Sequence, residues 1–174
     1  FSLTKECESI AISPNDQWIA IASQNDIHLH PLDNVSSKKR LTMHKNTAED
    51  LEFDPSGSHL VSVGDDRTIR IWNTSDWTQK HAIQQHKYDI ASVAISPDGQ
   101  TIASGDDFGN LLFSHLETGR PLYSVNMHRY WPEKNNSNPP TILDLQFSSD
   151  GRLAVAVRQR GVIILDGRLT NQTQ

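Results

Sequence analysis

Residues 44–73 read HKNTAEDLEFDPSGSHLVSVGDDRTIRIWN, and this stretch decides the fold. Three short apolar runs, at 51–53, 59–63 and 68–72, are separated by two polar turns. The Asp-Pro-Ser-Gly turn combines a proline, which fixes φ, with a glycine that tolerates positive φ. The stretch therefore predicts short antiparallel strands joined by tight turns.

The same pattern occurs four times along the chain. Its turn reads SPND at 13–16, DPSG at 54–57, SPDG at 96–99 and SSDG at 148–151. The second turn residues lie 41, 42 and 52 residues apart, and the longer last spacing contains an insertion at 128–140, HRYWPEKNNSNPP. A period of about 40 residues, without apolar residues at helical spacing, predicts a β-propeller or a related repeat array.

Each unit is expected to contribute a set of short strands to one domain, 1–174. The units run roughly over 3–43, 44–85, 86–127 and 138–174. Strands after the turn are expected at 18–22, 59–63, 101–105 and 153–157, and third strands at 27–30, 68–72, 110–113 and 162–165. Weaker fourth strands are expected at 38–43, 78–83 and 121–125, whereas no convincing outer strand follows Asp166.

The second unit resembles a WD40 repeat almost position by position, and the third unit, 86–113, is similar but degenerate. The resemblance extends in outline over 8–166. It implies an all-β fold, a β-propeller of four-stranded antiparallel blades. The length then corresponds to about four blades, which would be part of a larger ring or a half that pairs with another copy.

The resemblance also implies a hydrogen-bonded structural tetrad formed by His44, Ser62, Asp66 and Trp72. In that arrangement each polar group has a partner, so the chain of hydrogen bonds can be buried without unsatisfied groups. The third unit keeps His86 and Ser104 but has Phe108 and Ser114 where the aspartate and tryptophan would stand. We therefore expect its blade to depend more on apolar packing.

Composition excludes several classes of protein. The net charge of −5 argues against nucleic acid, which needs a basic face. A single cysteine cannot form an intrachain disulfide and makes a cysteine-based zinc site unlikely. Because there is no membrane-length apolar run and no signal-peptide pattern in residues 1–10, we expect a soluble cytoplasmic chain without membrane contact.

Three candidate chemistries are outweighed by structural explanations. Ser62, His44 and Asp66 have the residue types of a catalytic triad, but the repeat accounts for all three. His28 and His30 alternate on one strand without an evident third metal ligand. The acidic pairs at 65–66 and 106–107 lack the spaced ladder of a calcium loop. We therefore predict no catalytic residues, no metal site and no cofactor.

The strongest candidate for specific function is a partner-binding surface around the loops. The resemblance implies that loops linking units and turns before third strands share one face of the ring. Arg, Tyr and Trp are enriched at interface hot spots, and the insertion collects all three. The candidate partner-binding residues are Tyr88, Asp89, Phe108, Arg129, Tyr130, Trp131, Arg158 and Arg160. Partner contact and self-packing remain alternatives for the insertion.

The resemblance thus implies a non-catalytic scaffold for protein–protein interaction or for assembly of a larger complex. The expected partners are other proteins, other domains of the same polypeptide, or remaining propeller blades supplied in cis or by a second copy in trans. Two alternatives stay open. One is a propeller domain of a larger regulatory or enzymatic protein, and the other is a nucleic-acid-binding propeller that uses Arg129, Arg158 and Arg160.

Overall fold

The computed structural model describes residues 6–33, 38–42, 44–130 and 139–166, which form four antiparallel sheets. Each sheet is called a blade and numbered in chain order. Strands within a blade follow one another in space as in sequence, so every connection is a hairpin. The all-β fold with propeller-type blades that the repeat predicted is therefore confirmed.

Blades 1 and 2 each contain four strands. In blade 1 these are β1 (Ser9–Ile12), β2 (Trp18–Ser23), β3 (Asp26–Pro31) and β4 (Lys39–Leu41). In blade 2 they are β5 (Ala48–Phe53), β6 (His59–Gly64), β7 (Ile69–Asn73) and β8 (Gln79–Ile83).

Blade 3 also has four strands, and blade 4 has three within the described residues. Blade 3 consists of β9 (Ile90–Ile95), β10 (Thr101–Asp106), β11 (Asn110–His115) and β12 (Pro121–Asn126). A short 3₁₀ helix, Met127–Tyr130, follows it. Blade 4 consists of β13 (Ile142–Phe147), β14 (Leu153–Val157) and β15 (Gly161–Leu165). Most of the 128–140 insertion, including Trp131, lies outside the described residues.

The repeated turn joins the first two strands of every blade and has the same geometry each time. A backbone N–H of its fourth residue donates to the carbonyl of its first residue at 2.8–2.9 Å. That fourth residue has a positive φ, which glycine adopts without strain at 57, 99 and 151, while Asp16 adopts it at 55° in the first unit. The turn chemistry read from the sequence is therefore confirmed.

The blades stack side by side in an arc with their first strands adjacent. β1 contacts β5, β5 contacts β9, and β9 contacts β13. Three apolar clusters fill the three junctions between successive blades. Within the part of the chain described, the arc does not close on itself, so these blades form a partial propeller.

One observation concerns membranes. Among the described residues there is no helix that is long and apolar enough to cross a bilayer.

Candidate functional site

Blade 2 carries a continuous chain of buried hydrogen bonds. His44 Nδ1 donates to the Asp66 carboxylate at 3.0 Å, and His44 Nε2 lies 2.8 Å from Ser62 Oγ. Trp72 Nε1 donates to the same Ser62 oxygen at 3.0 Å. Because an ionised carboxylate only accepts, the proton of His44 sits on Nδ1 and Nε2 accepts from the Ser62 hydroxyl. Hydrogen bonds therefore join the four residues of the expected tetrad in the order Asp66, His44, Ser62 and Trp72.

Asp66 has a further partner that the repeat pattern did not indicate. The buried Arg70 guanidinium approaches Asp66 Oδ2 at 3.2 Å and also donates to Gln79 Oε1 at 2.5 Å. Burial acts to raise the pKa of Asp66, but hydrogen bonds from His44, Thr68 and the Lys45 N–H hold it well below its ordinary value. Asp66 therefore remains a carboxylate that anchors two buried cationic or polar groups.

The order Ser62–His44–Asp66 matches that of a catalytic triad, but the surroundings do not. Ser62 is 0% exposed, and its oxygen already accepts the Trp72 indole N–H. A nucleophile must reach its substrate, so a hydroxyl enclosed on all sides serves packing and hydrogen bonding. The geometry supports a structural role for the three residues.

Blade 3 contains a second network, which corrects the expectation that Phe108 leaves it without an aspartate. His86 Nδ1 donates to Asp106 Oδ2 at 3.0 Å, and His86 Nε2 lies 2.8 Å from Ser104 Oγ. Asp106 also accepts hydrogen bonds from Asn110 through both its backbone and its side chain. Burial acts to raise the pKa of Asp106, but the hydrogen bonds from His86 and Asn110 outweigh it and hold that pKa below its ordinary value.

The aspartate of blade 3 therefore stands two positions earlier than that of blade 2. Strand pairing aligns Val63 with Gly105, because they face Ile69 and Leu111 respectively. By that register Asp106 occupies the position of Gly64, and Phe108 occupies the position of Asp66. The sequence signal was the acidic pair at 106–107, which offers carboxylates one and two residues before the usual position. Because Asp106 supplies the carboxylate, the residue at position 108 takes no part in the hydrogen bonds of blade 3 through its side chain.

Phe108 instead stacks on Tyr88 at the surface. The two rings lie 3.8 Å apart at an interplanar angle of 15°, and both side chains remain more than a third exposed. The backbones of their loops are joined, because the Asp107 N–H donates to the Asp89 carbonyl at 3.0 Å. Tyr88, Phe108 and His128 line a cavity of about 480 Å³ with His86 at its wall.

Several carboxylates lie around this aromatic pair. Burial, together with the charges of Asp65, Glu8, Asp107 and Asp89, raises the pKa of Glu49 to about 7. Burial and the Asp89 carboxylate also raise the pKa of Asp107. Arg67 Nε pairs with Asp89 at 3.2 Å and offsets part of this charge. Lys87 also lines the cavity and the Arg158 charge acts on Asp107, so the carboxylates and three basic side chains lie together in this region.

The remaining predicted residues divide between two other places. Arg129 and Tyr130 line a different space from Tyr88 and Phe108, a groove of about 1000 Å³ between blades 3 and 4. Phe113 and Tyr123 stack at 4.4 Å in this groove. Arg158 and Arg160 lie at the hairpin between β14 and β15, where the Arg158 charge acts on Asp107. Arg129 and Tyr130 thus line a different cavity from Tyr88 and Phe108, whereas Arg158 lies close enough to Asp107 for its charge to oppose the rise in the Asp107 pKa.

Metal ligands do not converge in the described ranges. No group of three or more His, Cys, Asp or Glu side chains has the arrangement of a metal site there. His30 is buried at the position equivalent to Trp72, and its burial lowers its pKa, as do the charges of Lys38 and His28.

A set of contacts between blades was missed in the sequence. Ser9 Oγ donates to Asp50 Oδ1 at 2.8 Å, and Ser92 Oγ and the Val93 N–H donate to Asp50 Oδ2 at 3.0 and 2.9 Å. Ser9, Asp50, Ser92 and Asp144 all stand five residues before the second turn residue of their units. That regular spacing was the available signal.

Comparison with known proteins agrees with this architecture. The family model "WD domain, G-beta repeat" matches residues 35–73 and 77–109. These ranges include β5, β6 and β7 with the complete blade 2 network, and β9 and β10 with most of the blade 3 network.

Curated relatives show the same repeat. An uncharacterised WD repeat-containing protein of Synechocystis is 32% identical over 97 residues, which is 55% of this chain and 28% of that protein. The p21-activated protein kinase-interacting protein 1-like of Danio rerio is 30% identical over 118 residues, or 67% of this chain and 32% of that protein. The guanine nucleotide-binding protein subunit beta of Oryza sativa subsp. japonica is 31% identical over 113 residues, which is 64% of this chain and 29% of that protein.

The chain thus spans about a third or less of the length of each of these three relatives. Residues 35–73 and 77–109 are therefore WD40 repeats, and this chain contains them from strand β4 of its first blade to strand β10 of its third blade.

Proposed function

We propose that this chain is a non-catalytic platform whose Tyr88–Phe108 surface binds a partner protein. WD40 domains generally bind other proteins, and the Danio rerio relative is by its printed name a kinase-interacting protein. The observation that carries the proposal is the displaced aspartate. Because Asp106 completes the blade 3 network, Phe108 has no task inside the blade, yet it places an aromatic ring at the surface.

The exposed aromatic surface of Tyr88 and Phe108 is costly in water. Two stacked rings that both remain partly exposed give up apolar burial that a partner would restore. Aromatic side chains on rigid loops are also the usual anchors of interfaces. The loops that carry Tyr88 and Phe108 are held by the hydrogen bond between Asp107 and Asp89 and by the network beneath them. The surface is thus ordered before binding, which lowers the entropic cost of association.

The surrounding charge favours a class of partner. Glu49, Asp65, Asp89 and Asp107 lie near one another, as their effects on the Glu49 pKa indicate. A partner segment with an apolar or aromatic residue beside Lys or Arg would pack on the rings and pair with these carboxylates. We therefore infer a basic protein segment as the bound element. Both rings lie in loops that the WD40 scaffold supports and do not take part in the core.

The experiment compares a Tyr88→Ala/Phe108→Ala double variant with the wild type. Proteins captured from a lysate by the immobilised wild-type chain are identified, purified and titrated against both forms. We expect the double variant to weaken binding at least tenfold, equivalent to about 1.4 kcal/mol or more, with an unchanged unfolding midpoint.

The matched control is Leu122→Ala, which removes an apolar side chain that is also exposed from the outer strand β12. It should bind like the wild type. Equal binding by the double variant and the wild type would refute the proposed surface, and loss of folding would show that the pair packs for stability.

A further inference from the structure

The cavity beside the two stacked aromatic rings combines apolar and polar lining. It measures about 480 Å³ and extends from the rings to the end of β12. Its apolar lining includes Leu112 and Val125, and its polar lining includes Lys87, Asn126 and His128. A space of this kind accommodates a side chain that has an apolar stem and a polar end.

The carboxylate in this lining is already occupied by hydrogen bonds. Asp106 is 0% exposed and accepts His86 Nδ1 at 3.0 Å. It also accepts the N–H groups of Phe108 and Asn110 at 3.0 and 2.9 Å, and the Asn110 side-chain amide donates to both of its oxygens. Within the described ranges no other carboxylate lines the cavity. An incoming group therefore meets no free carboxylate there.

Lys87 and Asn126 have unused hydrogen-bond donors at this cavity. Lys87 is exposed and forms no ion pair with any residue that the structure describes, whereas Arg67 of the neighbouring blade is paired with Asp89. Asn126 Nδ2 donates one hydrogen to Asn110 Oδ1 at 2.8 Å and keeps a second hydrogen for another acceptor. The donors that remain are those an anionic group requires.

The carboxylates near the aromatic pair lie on the side away from β12. Glu49 is on β5 and Asp89 directly precedes β9, and these are the first strands of blades 2 and 3 and contact each other. β12 is the last strand of blade 3, at the opposite edge of its sheet from β9. The aromatic pair therefore lies between carboxylates toward β9, partly offset by Arg67 and Arg158, and a cavity with an unpaired lysine toward β12.

We propose that the basic protein segment bound at the Tyr88–Phe108 surface also carries an acidic residue, a glutamate or an aspartate, whose carboxylate binds Lys87 in this cavity. This inference rests on the proposed partner surface and adds a direction to it. An apolar or aromatic residue of the segment packs on the rings. Its Lys or Arg lies toward β9, and its acidic residue lies toward β12.

The charges on the two sides of the rings fix the orientation of the segment. A carboxylate only accepts hydrogen bonds, so it suits the Lys87 ammonium and the Asn126 amide, and charge-assisted hydrogen bonds are the stronger kind. A segment bound in the reverse direction would place its acidic residue beside Glu49 and Asp89 and its basic residue beside Lys87. Such like-charge contacts are costly, so the arrangement selects one direction.

Selection from random peptides tests this inference without a known partner. Short random peptides displayed on phage are selected on the immobilised 174-residue chain, and enriched sequences are synthesised and titrated by fluorescence anisotropy. We expect the enriched peptides to share an apolar or aromatic residue with Lys or Arg on one side and Glu or Asp on the other. The order of these residues along the peptide should be the same in all of them.

Charge reversal tests the contact with Lys87. Lys87→Glu should weaken binding of the selected peptides about tenfold. Peptides in which Lys replaces the acidic residue should bind the Lys87→Glu variant more tightly than they bind the wild type. The matched control is Arg120→Glu, which makes the same change of charge at an exposed residue before the other end of β12 and should leave binding unchanged. Circular dichroism checks that each variant is folded.

The Tyr88→Ala/Phe108→Ala variant separates this inference from the proposed function. Peptides that need the two rings but lack an acidic residue, or that bind Lys87→Glu as they bind the wild type, would overturn the acidic contact and leave the partner surface standing. Failure of the lysine-substituted peptides to prefer Lys87→Glu would also overturn the pairing. A selection that yields no peptide sensitive to loss of the rings would overturn both proposals.

Discussion

Blades 2 and 3 contain the same histidine–serine pair, but the histidine is hydrogen-bonded to an aspartate at a different sequence position in each blade. In blade 2 Asp66 holds His44 from the usual turn position, and in blade 3 Asp106 holds His86 from two residues earlier. The distances are the same in both networks, 3.0 Å to the carboxylate and 2.8 Å to the serine oxygen. The histidine therefore needs a carboxylate at one point in space and not at one point in the sequence.

The two blades differ in the other contacts of the network and in the residue at the turn position that the aspartate occupies in blade 2. Blade 2 uses Asp66 to hold a buried arginine and ends its network on Trp72. Blade 3 has Leu112 and Ser114 at the corresponding positions and gains an exposed phenylalanine. Blade 2 is accordingly the more heavily hydrogen-bonded blade, and blade 3 is the one with a candidate binding surface.

The largest effect is expected from Asp66→Ala. This change removes the partner of His44 and leaves the buried Arg70 guanidinium without its carboxylate, which should lower the free energy of unfolding by about 3–5 kcal/mol. Urea unfolding followed by circular dichroism measures it. Asp65→Ala, in the same turn, is the control and should change stability by less than about 0.5 kcal/mol. Equal effects of the two would show that Asp66 is not the anchor of blade 2.

Asp106→Ala should cost somewhat less, about 2–3 kcal/mol, because no arginine depends on this carboxylate. Adding Phe108→Asp to that variant returns a carboxylate to the position that Asp66 holds in blade 2. We expect the double variant to recover part of the lost stability in the same unfolding assay. Further destabilisation by the second change would contradict the equivalence of the two positions.

Trp72→Phe removes the indole N–H from Ser62 and some buried volume, and it should cost about 2 kcal/mol. Thermal unfolding at fixed pH measures the change. The remaining contacts of His44 with Ser62 and Asp66 should persist, so the His44 ring proton should stay protected in NMR spectra. Loss of that proton signal together with the indole would mean that the tryptophan is required to close the network.

The two blades should also differ in how their stability depends on pH, because blade 2 carries an ionisable residue, Glu52, on its first strand. Burial, together with the charge of Asp50, raises the pKa of Glu52 to about 7. Blade 3 has Ala94 at the equivalent position and therefore no ionisable group there. A raised folded-state pKa contributes stability that is complete below the unfolded pKa of about 4.5 and is lost as pH rises through 7.

Glu52→Gln keeps an oxygen for the Ile95 N–H but cannot ionise. Relative to the wild type, the variant should therefore gain roughly 2 kcal/mol between pH 5 and pH 8. Urea unfolding at the two pH values measures this difference. Glu49, whose pKa is also raised to about 7, is present in both proteins and cancels in the comparison. A constant difference between variant and wild type would show that Glu52 does not titrate in this range.

The smallest effect is expected from Ser114→Ala. Ser114 stands at the position of Trp72, and its Oγ is buried without a hydrogen-bond partner among the described residues. Removing an unsatisfied hydroxyl costs nothing in hydrogen bonding, so stability should change by less than about 0.5 kcal/mol or rise slightly. Calorimetric unfolding checks this, and a loss as large as that for Trp72→Phe would assign Ser114 an unseen partner.

Much of the fold could be predicted because it depends on local chemistry that repeats. The turns at 54–57 and 96–99 fix the first hairpin of their blades, and the alternation of apolar residues fixes which side faces the core. The blade 2 tetrad followed from the same repeat. These features need only residues that lie within one unit.

The features that escaped prediction depend on relations in space. The replacement of the expected aspartate by Asp106 requires knowing that a carboxylate two residues earlier in a hairpin reaches the same histidine. The separation of Tyr130 from Phe108 requires knowing where the groove between blades 3 and 4 runs. The hydrogen bonds of Asp50 with Ser9 and Ser92 join strands about forty residues apart, so the sequence pattern within one unit cannot reveal them.

The central claim is that Asp106 carries the blade 3 network and thereby leaves Phe108 free for recognition. The most direct test is the free energy of unfolding of Asp106→Ala and Phe108→Ala, measured side by side by urea denaturation. We expect a loss of about 2–3 kcal/mol for Asp106→Ala and less than about 0.5 kcal/mol for Phe108→Ala. Equal losses for the two variants, or a larger loss for Phe108→Ala, would contradict it.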